Sequence, residues 1–391
     1  MSFRAEVRPR KSEIADSHKR VLFCRSNPID PDPRVEKEAA TLAEAGYQVG
    51  VIAWDRSGKL PAEEIREGMV IHRLPIQSEY ASGLSNLPAL LRWQMGLITW
   101  LVRNRNEYDL IHACDFDTVI PALFCKCLYG KKVVYDVFDF YADHLRATPG
   151  WIKAIIRRLD LVAVSWADAL ILVDESRREQ IRGGRPKRVI VINNSPRDRY
   201  HDLHLKVQEK GQVFRLVYVG LLQLERGLWE LLEVMERHPN WTLELAGFGG
   251  DQDLVLERVE GLDNVRWHGR IPYSRALELT AASDVSVATY DPEIPNHRYA
   301  SPNKIFEAMM LGKPVIVARG TNMDRIVEKH KCGLVVEYGD VVGLEQALLG
   351  IENSSHWGEK MGVSGREAYQ SLYAWSRMRA RLLDMYQEVF Q

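Results

Sequence analysis

Short apolar runs alternate with stretches of helical spacing along most of this 391-residue chain, and they do so in two separate sets. The first set holds runs at 21–24, 49–53, 110–112, 132–135, 169–173 and 189–192. The second holds runs at 214–219, 242–245, 285–288, 315–317 and 333–336. Between them lie helical patterns such as 34–45, 228–237 and 275–282, some closed by glycine. A run that is apolar throughout needs cover on both faces, and a strand–helix–strand order joins parallel neighbours. Each set therefore predicts a doubly wound parallel sheet. Residues 197–212 are polar, charged and poor in branched apolar side chains, the composition of a linker. The expected fold class is α/β: two Rossmann-like domains with a cleft between them, at 1–198 and 212–375.

Composition bounds the function. With 46% hydrophobic and 27% charged residues the chain can fill two cores. A formal net charge of −1 argues against a protein whose main business is nucleic acid, so no nucleic-acid partner is expected. Five scattered cysteines include Cys125-Lys126-Cys127, which lacks the spacing of a zinc or thioredoxin-like pair. Reduced thiols and a cytoplasmic protein are expected. Residues 1–20 carry mixed charge and no apolar core of a secretion signal. No window has the length of a spanning helix. Two segments mix tryptophan and aliphatic residues with basic ones, at 87–105 and 151–158. They are read either as peripheral membrane contacts at the inner face of the plasma membrane or as sheet-packed helices with solvated basic faces.

The stretch 301–316, SPNKIFEAMMLGKPVI, reads as a helix built to receive an anion. Ser301 suits the N-cap and Pro302 the first helical position. The amides of Asn303, Lys304 and Ile305 then lack helical partners at the positive end of the dipole, where a phosphate is stabilised. Lys304 adds a full charge, and Glu307 one turn on can accept hydrogen bonds from ribose hydroxyls. The plain alternative is a surface helix with a Lys304–Glu307 ion pair. Gly220 directly follows a strand, so backbone can approach a diphosphate there, and Arg226 can add charge.

This pattern, Pro-x-Lys-x-x-Glu-x-Met-x-x-Gly-x-Pro-Val, resembles the donor-site signature of the retaining GT-B glycosyltransferases of family four, the glycosyl transferases of group 1. The segments 218–220 (YVG), 225–228 (ERGL), 245–249 (LAGFG), 265–269 (VRWHG) and 282–285 (ASDV) follow in that family's order. In the first half 32–35 (DPRV), 46–49 (GYQV) and 109–113 (DLIHA) are similar to its amino-terminal domain. The resemblance implies transfer of a hexose from a UDP- or GDP-sugar to a glycan or lipid-linked acceptor hydroxyl, with retention, in polysaccharide or glycoconjugate biosynthesis. It implies a last helix, 376–391, that returns to the first domain. It places Ser301, Asn303, Lys304, Ile305, Glu307, Gly220 and Arg226 on the donor, and Arg270 or the backbone near Ile271 beside the base.

The chain departs from the family at Leu221, where many members have arginine, and at Tyr299, where the wider pattern has a first glutamate. Cys114 and Phe138 stand at two histidine positions of the first domain. His112, Asp115 and Asp139 remain as polar groups at strand ends and are the expected catalytic residues, with Asp139 orienting the acceptor or capping the following helix. Asn27, Asp30 and Arg34 occupy the first strand-to-helix turn, where the fold admits acceptor. Asp30-Pro31-Asp32 and Asp115-Phe116-Asp117 look like an Asp-x-Asp metal clamp, but no metal and no other cofactor is expected, because lysine and a helix dipole offset the diphosphate. Two rivals stay open: a nucleotide-sugar epimerase of the same fold, and a non-catalytic nucleotide-sugar-binding partner.

Overall fold

The computed structural model describes residues 19–78, 87–145, 148–204 and 213–391. The stretch before residue 19 and residues 205–212 of the expected linker lie outside the described residues. The chain divides into two compact units, one of residues up to Ile192 together with Arg379–Gln391, the other Asn193–Met378.

The first unit runs β1 (Arg20–Arg25), α1 (Pro33–Glu44), β2 (Gln48–Asp55), β3 (Glu63–Arg66), β4 (Met69–Pro75), α2 (Leu87–Arg103) and β5 (Leu110–Cys114). It continues α3 (Phe116–Tyr129), β6 (Lys132–Val137), α4 (Tyr141–His144), α5 (Gly150–Trp166), β7 (Ala169–Leu172) and β8 (Val189–Val191). Its sheet has the order β3-β4-β2-β1-β5-β6-β7-β8. Every pairing is parallel except β3 with β4. That hairpin is absent from the sequence reading, for a physical reason. β3 is a charged edge strand, EEIR, with no apolar run, and in its partner β4 the short apolar run Met69–Ile71 is cut off by His72 and Arg73. The hairpin turns at Glu67 and Gly68, whose φ values are 47° and 80°.

The second unit runs α6 (Tyr200–His204), β9 (Arg215–Leu221), α7 (Leu228–Arg237), β10 (Thr242–Phe248), α8 (Gln252–Val259), β11 (Val265–Trp267) and α9 (Tyr273–Ala282). Then come β12 (Val285–Ala288), α10 (Asn303–Leu311), β13 (Val315–Ala318), α11 (Met323–His330), β14 (Gly333–Val336), α12 (Val341–Asn353) and α13 (Ser355–Ala368). The sheet order is β11-β10-β9-β12-β13-β14, parallel throughout. β11 escaped the sequence reading as a strand because it is only three residues long and carries Arg266. A wide turn at Tyr369–Tyr373 precedes α14 (Trp375–Phe390), which begins at Trp375. Within the first unit Tyr386 packs on the interior: its hydroxyl lies 2.7 Å from Nδ1 of the fully buried His112.

Both sheets reverse direction of growth once. In the first unit the reversal falls between β1 and β5, and in the second between β9 and β12. The carboxyl ends of strands at such a reversal leave a crevice between helices that depart to opposite faces, which is where doubly wound sheets take ligands.

Candidate active site

In the second unit the expected donor residues converge on its reversal. β9 ends at Gly220 and Leu221, and β12 is followed by Thr289 and Tyr290. The chain then reaches α10, whose Lys304 projects back to the end of β9. A Cβ built on Gly220 would stand 3.1 Å from Lys304 Nζ, so glycine there leaves room for the ammonium. Lys304 Nζ lies 3.7 Å from the centroid of the Tyr218 ring and 5.4 Å from that of Tyr290. Lys304 is only 8% exposed and its Nζ has no hydrogen-bond partner among the described residues. Burial, with Arg226 nearby, pushes this amine well below the usual lysine range, while Glu307 pulls it back up.

Arg226 stands over Tyr290, its guanidinium carbon 4.5 Å from the ring centroid, and donates Nε to Gln223 at 3.1 Å. It is held by Gly227, whose φ of 68° sets the turn into α7 and where a Cβ would lie 2.0 Å from Thr289 Oγ1. Glu307 is 7% exposed and accepts the Tyr273 hydroxyl, whose proton burial and this carboxylate together hold tightly. Arg270 is exposed and lies over the half-exposed Phe248, 4.9 Å from its ring centroid. Ile271 is tucked against the small cluster of Val217, Ala246 and Leu279.

The helix start differs from the reading of the sequence. α10 begins at Asn303, with Pro302 in the cap position and no side-chain cap. Ser301 is one residue too early; it is 4% exposed and its carbonyl accepts Asn194 Nδ2 at 3.0 Å. The Ile305 amide already donates to the Pro302 carbonyl at 3.3 Å, which leaves Asn303 and Lys304 as the leading amides of the turn. Nor is there a Lys304–Glu307 surface pair, since both side chains are buried.

In the first unit the reversal gathers a second charged cluster. Asp115 follows β5 with a φ of 67°, a strained conformation for a residue with a side chain. Its carboxylate accepts the Phe138 amide at 2.9 Å and the Asp139 amide at 3.4 Å, and pairs with Arg25 at the end of β1. Burial pushes the Asp115 carboxyl up to about 6 against the pull of Arg25. Arg25 also pairs with Asp32 at 2.9 Å and lies over the Phe138 ring. Asp139 is paired with the buried Arg177 at 2.6 Å and does not cap the helix that follows.

Two expected residues point elsewhere. His112 has no exposure; it stacks on Phe23 at 4.2 Å, so it belongs to the core rather than to a strand end facing ligand. Arg34 is 7% exposed, and its fork is taken by Asp136 at 2.8 and 2.9 Å and by the Ile192 carbonyl at 2.7 Å. An acceptor anion could reach it only by breaking that pair. Asn27 donates to Asp32 at 2.6 Å and accepts the Ile29 amide, which makes it a brace of the loop, and Asp30 is exposed beside it. Glu38, His112 and Asp136 offer ligand atoms within 4.8 Å of one another, but Arg34 already lies 3.3 Å from Glu38 and 2.8 Å from Asp136. A cation would have to share both carboxylates with a guanidinium.

Residues 213–353 match the family described as glycosyl transferases group 1, and residues 31–195 match the glycosyl transferase 4-like domain. The chain belongs to the group 1 glycosyltransferases. A glycogen synthase of Mycobacterium tuberculosis is 22% identical to it over 375 residues, covering 89% of this chain and 88% of that one. Among solved structures, sucrose-phosphate synthase of Thermosynechococcus elongatus superposes with a TM-score of 0.77 at 17% identity, over 95% of this chain and 99% of that chain. Anabaena HepE in complex with UDP-glucose gives 0.72 at 18% identity, over 95% and 100%. The fold is GT-B, and a glycosyltransferase using a nucleotide sugar is what these relatives support.

Several residues of this glycosyltransferase went unread in the sequence. Arg25 ends an apolar strand and carries no motif of its own. Tyr218 and Tyr290 pass for core aromatics, yet they wall the Lys304 ammonium. Both amide atoms of Asn296 are buried without hydrogen-bond partners among the described residues, and so is Thr289 Oγ1. Asn296 precedes Tyr299 together with His297 and Arg298, and the sequence reading takes all three as candidates for contacts to the donor sugar.

Proposed function

We propose that this glycosyltransferase moves a hexose from a UDP- or GDP-sugar to an acceptor hydroxyl with retention of configuration. The single observation that supports it is Lys304: a buried ammonium with no hydrogen-bond partner among the described residues, beside a glycine at a sheet reversal, awaits an anion. The diphosphate takes Lys304 and the leading amides of α10, with Arg226 adding charge from the β9–α7 turn. Glu307 accepts the ribose hydroxyls. The base lies along Phe248, Arg270 and Ile271. These groups offset charge on the leaving diphosphate as the glycosidic bond breaks, so the site works without a metal ion. The acceptor oxygen attacks from the face that the diphosphate leaves, and a diphosphate oxygen takes its proton.

Asp139 and Asp115, at the strand ends of the first unit, orient the acceptor hydroxyl or steady positive charge on the sugar ring. The acceptor is a glycan or a lipid-linked glycan precursor, reached at the cytoplasmic face of a membrane. A thermal-shift panel of nucleotide sugars tests the reading, since a ligand bound only by the native state raises its melting temperature. One base and sugar should stabilise the protein, equally in chelator, and transfer from that donor should give a product of unchanged anomeric configuration by NMR. No shift from any nucleotide sugar, or epimerisation of the donor alone, overturns it.

A further inference from the structure

The helices α2, α3 and α5 form one layer of the first unit, with α3 packed against the other two. Their inner faces share a single core with Ile111, Ala113, Val133 and Tyr135 of β5 and β6. The outer face of such a layer is ordinarily polar. Here it is not. α2 exposes Leu87, Leu91 and Met95, at four-residue spacing. α3 exposes Ile120, Phe124 and Leu128 in the same way. α5 exposes Trp151, Ile155, Leu159, Val162 and Trp166, a stripe along its whole length, with the two tryptophans 67% and 55% exposed. More than half of the large apolar side chains exposed among the described residues stand on these three helices.

The charges on the layer are as one-sided as its apolar stripes. The exposed charged side chains of the three helices are Arg92, Arg103 and Arg158. Their two aspartates are turned in: Asp160 has no exposure and accepts the Tyr135 hydroxyl at 2.8 Å, and Asp117 is half-buried at the start of α3. Three neighbouring helices of this length span roughly 20 Å by 25 Å. A face of that size, apolar and basic with no exposed acid on its helices, exceeds the scattered apolar residues of an ordinary surface.

We propose that the outer face of α2, α3 and α5 docks on the surface of an anionic bilayer. The aliphatic side chains enter the acyl boundary, and Trp151 and Trp166 sit at the level of the headgroups, where indole is favoured. The arginines bury their stems and reach anionic headgroups. A protein partner could cover the apolar stripes too, but the uniform sign of the charge favours a surface of diffuse negative charge. Docking deepens the reading of the acceptor as lipid-linked, and its evidence is separate from the donor site.

The test is sedimentation of the full chain with phosphatidylcholine vesicles, with and without phosphatidylglycerol. Binding is expected only with the anionic lipid, with a blue shift of tryptophan emission, and should weaken at high salt. The double substitution Trp151→Ser/Trp166→Ser and the pair Arg92→Glu/Arg158→Glu should each lower partitioning by about tenfold or more. Thermal stabilisation by the nucleotide sugar should be unchanged in both, which verifies folding and separates failure here from failure of the donor reading. Binding unaffected by the substitutions, no binding to anionic vesicles, or self-association that the tryptophan substitutions abolish would overturn the proposal.

Discussion

The Lys304 ammonium, at 8% exposure and with no hydrogen-bond partner among the described residues, destabilises the protein that carries it, because desolvation outweighs its contact with the Tyr218 ring. Lys304→Met should therefore stabilise the ligand-free enzyme by roughly 1–3 kcal/mol while removing its response to nucleotide sugar. The sign with pH follows from the depressed value of this amine. Below the folded value both states are charged and the full cost is present. As pH rises through that value toward the unfolded one, the folded state sheds its proton first and the cost fades. The gain in melting temperature from Lys304→Met should thus be larger at about pH 6 than at about pH 9. Donor binding needs the charged form, so it should weaken over the same rise and take up protons, which calorimetry in buffers of different ionisation enthalpy reads directly. An unchanged donor affinity in Lys304→Met would sink the assignment of the diphosphate. Arg34 makes the opposite case at the same scale: an arginine in a promising turn, already committed to Asp136.

At the scale of elements, the donor site depends on how closely two parallel strands run. A Cβ on Gly247 of β10 would lie 1.7 Å from the Gly220 carbonyl oxygen of β9, a backbone atom that cannot swing away. Gly247→Ala should force the carboxyl ends of β9 and β10 apart, at a cost of roughly 2–4 kcal/mol in denaturant unfolding. It should also weaken donor binding although it touches no ligand, because Gly220 is displaced from Lys304. Unfolding and binding both within error of the native protein would show that the strand ends yield without consequence. The elements read correctly in the sequence are those with one strong signal, such as α7 at Leu228–Arg237 and the apolar strands. The β3–β4 hairpin was lost because an edge strand needs no apolar run, and the start of α10 slipped because serine before proline imitates a cap.

For the molecule as a whole, the two units give the reversal of their sheets different tenants. Ligand stabilises what it touches, so hydrogen exchange with saturating nucleotide sugar should slow most in peptides covering 218–228 and 289–307. The largest protection in peptides of the first sheet, around 22–25 or 112–118, would move the donor to the other unit. The first unit instead concentrates paired charge at its reversal, Arg25 with Asp115 and Asp139 with Arg177, and carries the apolar basic layer on one face.

The sequence by itself determined the two alternating sets of strands and helices, the family, and the residue types gathered for an anion at Gly220, Arg226 and Lys304. Those follow from period and local motif, which are short-range properties of a chain. Which candidates are available to a ligand was decided only by the tertiary structure. Burial and pairing come from residues distant in sequence: Asp136 takes Arg34 from 102 positions away, and Tyr386 meets His112 across 274. The same holds for the apolar layer, since the outward stripes of α2, α3 and α5 become one surface only when the sheet sets those helices side by side.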